Sequence, residues 1–300
     1  MPLVLESIPK KIDNVDEIEI LIIDDGSTDK TIEIAKQYGV THFVRHARNM
    51  GLARSFRDGV DYALKHGADI VVNTDGDNQY PQARIADLVQ PVIDGSADIV
   101  IADRQTATIE HFSPFKKKMQ QFGSWVVNFV ADTNLPDAAS GFRAYSRRSL
   151  LRLNIVTQFS YCMETIIQAG QKHMAIVSVP VTTNPKTRES RLFKNIGQHM
   201  LQSGKAIVRS YLMYKPLVFF GLLGTVALVI GIIPFIRFAI LFAIGSDGQH
   251  IQSLLFGTVF LAVALFSYAL MVIAELQRTN RILAEDQLER LKELQYARHD

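Results

Sequence analysis

Ile70-Val71-Val72-Asn73-Thr74-Asp75-Gly76-Asp77 is the stretch from which the fold can be read. Its apolar, largely β-branched start reads as a buried strand, and it ends in two carboxylates one residue apart. On an extended chain, residues i and i+2 point the same way, so Asp75 and Asp77 can reach one ion. Hard oxygen ligands of this kind suit Mg²⁺ or Mn²⁺, which keeps positions for water and substrate phosphates. Taken alone, an Asp-x-Asp pair is more often a solvated turn.

A second strand-like run, Ile18 to Ile23, ends in Asp24-Asp25-Gly26-Ser27-Thr28-Asp29 and is followed by helical spacing from Thr31 to Tyr38. Ligands of open α/β sheets bind in the crevice beyond the carboxyl ends of strands, so two acidic strand ends aim at one crevice. A nucleotide held by the first turn, with its diphosphate bridged by a metal on the second, fits the pattern. Two ordinary capped turns are the alternative. Outward from these runs, strands are expected at 18–24, 41–46, 69–75, 98–103, 141–146 and 175–183. Helices are expected at 28–38, 51–66, 82–94, 116–131, 147–153 and 161–172. Such alternation predicts an α/β fold with a largely parallel sheet covered on both faces.

Asp24 to Asp29, then Asn49-Met50-Gly51, then Asp75-Gly76-Asp77-Asn78-Gln79-Tyr80-Pro81 resemble the motif series of glycosyltransferase family 2 with its GT-A fold. Asp137-Ala138-Ala139-Ser140-Gly141-Phe142-Arg143 is similar to the Ser-Gly-Phe-Arg element of the polyprenyl-phosphate branch, which includes dolichyl-phosphate mannose synthases. The resemblance implies a metal-dependent hexosyltransferase that inverts the sugar, moving it from a nucleotide diphosphate sugar to polyprenyl (undecaprenyl or dolichyl) phosphate. It implies nucleotide-sugar contacts from Asp24, Asp25, Ser27, Asn49, Gly51, Asp75 and Ser140. It implies Asp75, Asp77 and Gln79 at the metal, with Asp77, Arg104, Asp137 and Arg143 as catalytic residues. Arg188, Ser190 and Arg191 resemble the family's acceptor loop and would hold the acceptor phosphate. The family's first strand, which ends in Pro and Asn-Glu, has no counterpart here. Met1 to Ile8 reads as the helix after it, and a start site placed too late or a shortened chain is the expected reason.

The acceptor can be argued from chemistry. A hydroxyl needs a general base, whereas a phosphomonoester with second pKa near 6 is already largely anionic at neutral pH. The chain lacks the Glu-Asp base and Gln-x-x-Arg-Trp motif of hydroxyl-directed relatives. Its only Glu-Asp is Glu285-Asp286 and its only tryptophan is Trp125. A lipid-phosphate acceptor is therefore expected. The alternatives are a same-fold transferase acting on a lipid or glycan hydroxyl, with Asp137 or Glu164 as base, and a catalytically silent membrane scaffold.

With 300 residues and 48% hydrophobic content, there is room for one core of about 200 residues and more. Leu217 to Ile236 and Leu254 to Ala274 carry no charge, and each is long enough to cross a bilayer as a helix. The net charge of +2 conceals seven basic residues between Asn184 and Lys215 against the single acid Glu189. Basic flanks on both spans predict a multi-pass protein of the inner or plasma membrane, with catalytic domain and C-terminus cytoplasmic. No signal peptide is expected, because Met1 to Lys11 lacks a long apolar run. A single cysteine, Cys162, excludes an internal disulfide and a thiolate zinc cluster.

The expected organisation is a transferase domain at 1–200, an interfacial helix at 201–215, a two-helix transmembrane hairpin at 216–275 and a polar helix at 276–300. That last helix, with Leu276, Leu283, Leu288, Leu291 and Leu294, fits either a short coiled coil or a solvated amphipathic helix. The expected partners are a nucleotide diphosphate sugar, polyprenyl phosphate and the bilayer, with a homo-oligomer through the membrane helices or the last helix. No nucleic acid is expected.

Overall fold

Among the described residues six short runs, four of them rich in β-branched residues, form strands, and the amphipathic stretches between them form helices. The computed structural model describes residues 1–105, 114–156, 161–185, 211–245 and 251–297. Helix α1 (Pro2–Ser7) precedes β1 (Leu21–Asp24), α2 (Thr31–Gln37), β2 (His42–Arg45), α3 (Leu52–Lys65) and β3 (Ile70–Asn73). A 3₁₀ turn (Gln82–Arg84) leads into α4 (Ile85–Ile93), β4 (Ile99–Asp103) and α5 (Pro114–Ala131). Then come β5 (Arg143–Ser146), α6 (Arg147–Arg152), α7 (Tyr161–Gln171), β6 (Ile176–Pro180), α8 (Pro216–Ala243) and α9 (Ile251–Gln295). The chain divides into two units, Met1–Ile196 with Asp286–Asp300, and Gly197–Glu285.

In the first unit the strands form a parallel pair, β1–β2, and a four-stranded sheet in the order β3-β5-β4-β6. The expected α/β fold is present, with parallel pairing in β1–β2 and β4–β6. The two sheets are separate ladders, and β5 runs antiparallel to both β3 and β4, while β4 and β6 are parallel. The segment from Asp132 to Phe142 returns the chain to the carboxyl ends of β3 and β4, so β5 must leave in the opposite direction. Arg143 opens β5 opposite Asn73 on one side and Ile101 on the other. This puts the ends of three strands around residues 73–75, 101–104 and 137–143.

The core under the four-stranded sheet joins Ile85, Leu88 and Val89 of α4 to Val100, Ala102, Phe142, Ala144 and Val181. Each large side chain fully removed from water contributes about 1.5–3 kcal/mol. A smaller cluster, Leu5, Ala35 and Val40, packs α1 and α2 against Ile20, Ile22 and Phe43. Helix α3 serves both sheets. Gly59 lies against Ile23 of β1, and Phe56 stacks on Tyr161 with ring centroids 4.0 Å apart.

The end of α9 belongs to the first unit and docks there through polar groups. The Arg147 guanidinium donates to the Tyr296 carbonyl at 2.6 Å, and Lys292 Nζ donates to the Leu153 carbonyl at 2.7 Å. Glu289 pairs with Arg152 at 3.2 Å, and the Tyr296 hydroxyl donates to Asp61 at 3.3 Å. The polar side of this segment is the docked one, while Leu291 and Leu294 stay exposed.

The second unit contains α8 and most of α9, apolar helices with mean hydropathy 2.5 and 2.3 in their most apolar windows. They meet along Gly224, Ala227, Gly231, Gly257, Ala264 and Ser267, small residues that let backbones approach closely. The Thr225 and Tyr268 hydroxyls lie 3.1 Å apart across this seam.

Candidate active site

The acidic turn after β1 is built by its own carboxylates. Asp24 is buried and its Oδ1 accepts the Ser27 amide at 2.9 Å, which closes the turn. Gly26 adopts φ 75°, and a Cβ there would lie 2.7 Å from the Arg48 carbonyl carbon, so only glycine lets the two loops approach. Both oxygens of Asp25 are engaged: the Met50 amide donates at 2.7 Å and the Gly51 amide at 2.9 Å. His46 then links Asp25 (Nδ1, 2.8 Å) to Asp58 of α3 (Nε2, 3.1 Å), and Asp58 also accepts from Arg54 at 2.7 Å. Of the residues expected at the nucleotide, Asp24 and Asp25 therefore spend their carboxylates on holding the loops. Ser27 and Asn49 are exposed, and Gly51 caps α3.

The His46 bridge has a pH signature. Hydrogen bonding to Asp25, reinforced by Asp58, raises the His46 pKa above its ordinary 6.5. The folded pKa exceeds the unfolded one, so this stabilisation is complete below about pH 6.5 and is lost as pH rises through the folded value. The unfolding free energy of the parent should thus decline on the alkaline side of neutrality, and His46→Gln should flatten that decline. Denaturant melts across the pH range test it; equal slopes in both proteins would show that His46 carries no such coupling.

The second group lies at the ends of β3, β4 and the loop before β5. Asp75 and Asp77 are both partly buried beyond β3. Asp77 Oδ1 accepts the Gln79 amide at 3.0 Å in a turn that places Asn78 at φ 63°. Burial first, and the neighbouring Asp77 second, push Asp75 up to about 6, with Arg104 pulling the other way. Arg104 is locked to Asp137 through Nε–Oδ2 at 2.6 Å and Nη2–Oδ1 at 2.9 Å. A bidentate fork of this kind fixes the plane of the guanidinium.

Gly141 closes the group. The Tyr80 hydroxyl accepts its amide at 3.1 Å, and Asn73 Nδ2 donates to its carbonyl at 2.9 Å. Gly141 is buried against this group, and a Cβ there would lie 3.5 Å from both Asp75 Oδ2 and the Tyr161 hydroxyl.

Arg143 and Ser140, expected at the substrate, have no exposed surface. Arg143 donates to the carbonyls of Ser140 (2.7 Å), Ala138 (2.9 Å) and Cys162 (2.9 Å) and to Thr165 Oγ1 (2.9 Å). Arg143, expected among the catalytic residues that shape the site, ties the loop that carries Asp137 and Gly141 to α7 from a fully buried place. Arg188, Ser190 and Arg191 lie outside the described residues, as does most of the expected interfacial helix. Sequence reasoning gave no role to His46, Asn73, Tyr80 or Tyr161. Tyr80 stands inside the quoted Asp75–Pro81 motif and His46 three residues before Asn49, so proximity to motifs was the available signal.

The donor set suits a divalent cation with oxygen ligands. Among the described residues no group of three or more His, Cys, Asp or Glu converges on one point. Two neighbouring carboxylates, one with its pKa raised by burial and by the other's charge, fit an ion that draws its other ligands from water and phosphates. Gln79 contributes its amide to Asp77, and its carbonyl accepts from the Asn184 amide at 2.9 Å.

Known proteins share both the fold and the sequence pattern. A glucosyl-3-phosphoglycerate synthase from Mycobacterium tuberculosis, solved with Mn²⁺, UDP and phosphoglyceric acid, superposes with a TM-score of 0.53 at 16% identity over 70% of this chain and 71% of that one. That is a likeness of fold, the GT-A fold. A UDP-N-acetylglucosamine–dolichyl-phosphate N-acetylglucosaminyltransferase of Methanococcus voltae is 27% identical over 60% of this chain and 80% of its own. The glycosyltransferase AglJ of Haloferax volcanii is 25% identical over 92% of this chain and 89% of its own, a span that includes both apolar helices. Residues 2–153 match the family described as Glycosyl transferase family 2, and the chain belongs to that family of glycosyltransferases.

Proposed function

We propose that the chain transfers one sugar from a nucleotide diphosphate sugar to a polyprenyl phosphate, with inversion, from a membrane-anchored position. The observation that carries this reading is the Asp75–Asp77 pair beside an Arg104 held rigid by Asp137. A bound Mg²⁺ or Mn²⁺ would supply Lewis-acid neutralisation of the departing diphosphate. Asp75 and Asp77 would hold it. Arg104, with two of its nitrogens fixed on Asp137, keeps Nη1 for a phosphate oxygen. Exposed Ser27 and Asn49 would meet the nucleoside.

The acceptor follows from the state of the acids. Asp137 is committed to Arg104, and both oxygens of buried Glu164 accept the Val156 amide at 3.2 Å. Neither is placed as the general base that a hydroxyl acceptor requires, whereas a phosphate arrives as a nucleophilic anion. The acceptor named for the Methanococcus relative, a dolichyl phosphate, agrees with this choice. Two helices long and apolar enough to span a bilayer would keep the enzyme where such a lipid resides.

The test incubates the purified full chain with UDP- and GDP-sugars, Mg²⁺ or Mn²⁺, and either a polyprenyl phosphate or the corresponding prenol. Transfer to the phosphate and none to the prenol is expected. Comparable transfer to the prenol would replace this reading with the hydroxyl-acceptor one.

A further inference from the structure

Helix α3 is held differently along its length. At its start the Gly51 amide donates to Asp25, and Asp58 reaches Asp25 through His46, so this part of the helix carries the acidic loop after β1. In its middle the contacts are apolar, with Gly59 on Ile23 and Phe56 on Tyr161. Apolar contacts have no direction and oppose separation more than sliding. Directional ties return at the far end. Arg147 donates to the carbonyls of Leu64 at 3.3 Å and Ala68 at 3.1 Å, where a helix end leaves carbonyls short of partners.

Tyr296, directly after α9, grips that same end twice. Its carbonyl accepts the other arm of Arg147 at 2.6 Å, and its hydroxyl donates to Asp61 at 3.3 Å. Its side chain is buried, at 8% exposure. Burial first, and the Asp61 charge second, push the hydroxyl up to about 12, so it stays a donor at neutral pH. Asp58 and Asp61 stand three residues apart on one helix face, the first serving the acidic loop and the second the tail. We propose that Tyr296 is a positioning residue for the nucleotide: it fixes the axial and rotational setting of α3, and α3 sets the loops joined by Asp25, Met50 and Gly51. The inference rests on the reading of those loops as the nucleotide contact.

The full chain and its Tyr296→Ala and Tyr296→Phe variants are titrated by calorimetry with UDP, GDP, CDP and ADP in Mg²⁺. Donor KM, acceptor KM and kcat are measured on the same preparations. Tyr296→Ala is expected to raise the nucleotide dissociation constant and the donor KM about fivefold or more, with kcat and acceptor KM within about twofold of the parent. Tyr296→Phe keeps the buried ring and loses only the Asp61 bond, so its nucleotide dissociation constant should fall between the two. An unchanged dissociation constant with a lowered thermal midpoint in Tyr296→Ala would make the contact one of stability alone and overturn the proposal. A parallel loss in donor KM, acceptor KM and kcat would overturn it too, as the mark of a damaged domain. If the alanine variant does not fold, the phenylalanine variant decides: a dissociation constant about twofold above the parent's supports the proposal, and an equal one overturns it. Transfer by the parent to the prenol would remove the lipid-phosphate reading and leave this test intact, whereas a parent that binds none of the four nucleotides would overturn both.

Discussion

Asp77→Asn is expected to lower sugar transfer roughly a thousandfold while leaving the thermal midpoint within a degree or so of the parent. The asparagine oxygen still accepts the Gln79 amide, so the turn at Asn78 keeps its hydrogen bond. What disappears is one anionic ligand to a hard cation, and binding of Mg²⁺ depends on such charge. Asp75→Asn should be equally inactive but at least as stable as the parent when both are melted in chelator. Burial and repulsion from Asp77 already oppose the Asp75 charge, so removing it relieves a cost of folding. Turnover and thermal midpoints, measured on the same preparations, decide the matter. Activity that survives either change in excess chelator would remove the metal from the reading.

Arg143→Met is expected to destabilise the transferase domain by about 3–5 kcal/mol, a drop in thermal midpoint of about 10 °C or more. Methionine fills much of the same volume, so the loss comes from polar groups rather than from a cavity. The carbonyls of Ser140 and Ala138 would be left in a fully buried place without the guanidinium that joins them. Each such orphan costs about 1–3 kcal/mol. Arg143→Lys should rescue little, because one ammonium cannot span acceptors arranged around a planar fork. A methionine variant as stable as the parent would show that other contacts organise the loop.

Much of the arrangement was legible because it is local. An apolar run ending in Asp-Gly-Asp announces both a strand and the direction of its carboxylates, and Asp75 and Asp77 stand where that pattern put them. Elements followed in the same way, from β1 to β6 and from α2 to α7. Strand direction was less accessible: Arg143–Ser146 has the composition of a strand, but only the path from Asp132 to Phe142 makes it antiparallel. Arg143 has its expected place among the site residues only through the resemblance of Ser140-Gly141-Phe142-Arg143 to the family's element. Its burial among Ala138, Cys162 and Thr165 depends on α7, which the local pattern does not encode. His46 drew no attention for the same reason, since its partner Asp58 sits on the next helix. The end of α9 was misleading in another way. Its leucines suggested a coiled-coil seam, whereas the docking is made by Lys292, Glu289 and the Tyr296 carbonyl.

That docking has a consequence for synthesis on the ribosome. Arg147 and Tyr296 are 149 residues apart in sequence. At translation speeds of about 5–20 residues per second, the strands and helices around Arg147 emerge roughly 7–30 s before their last partner. Both apolar helices must be made, and directed to wherever they are going, within that interval. The nascent domain waits with the faces of α3 and α6 unfinished until the end of α9 is made. A chain whose hairpin goes astray would be slow to present Tyr296 and Lys292 to those faces. The same contacts that close the fold therefore form only once both apolar helices have been made.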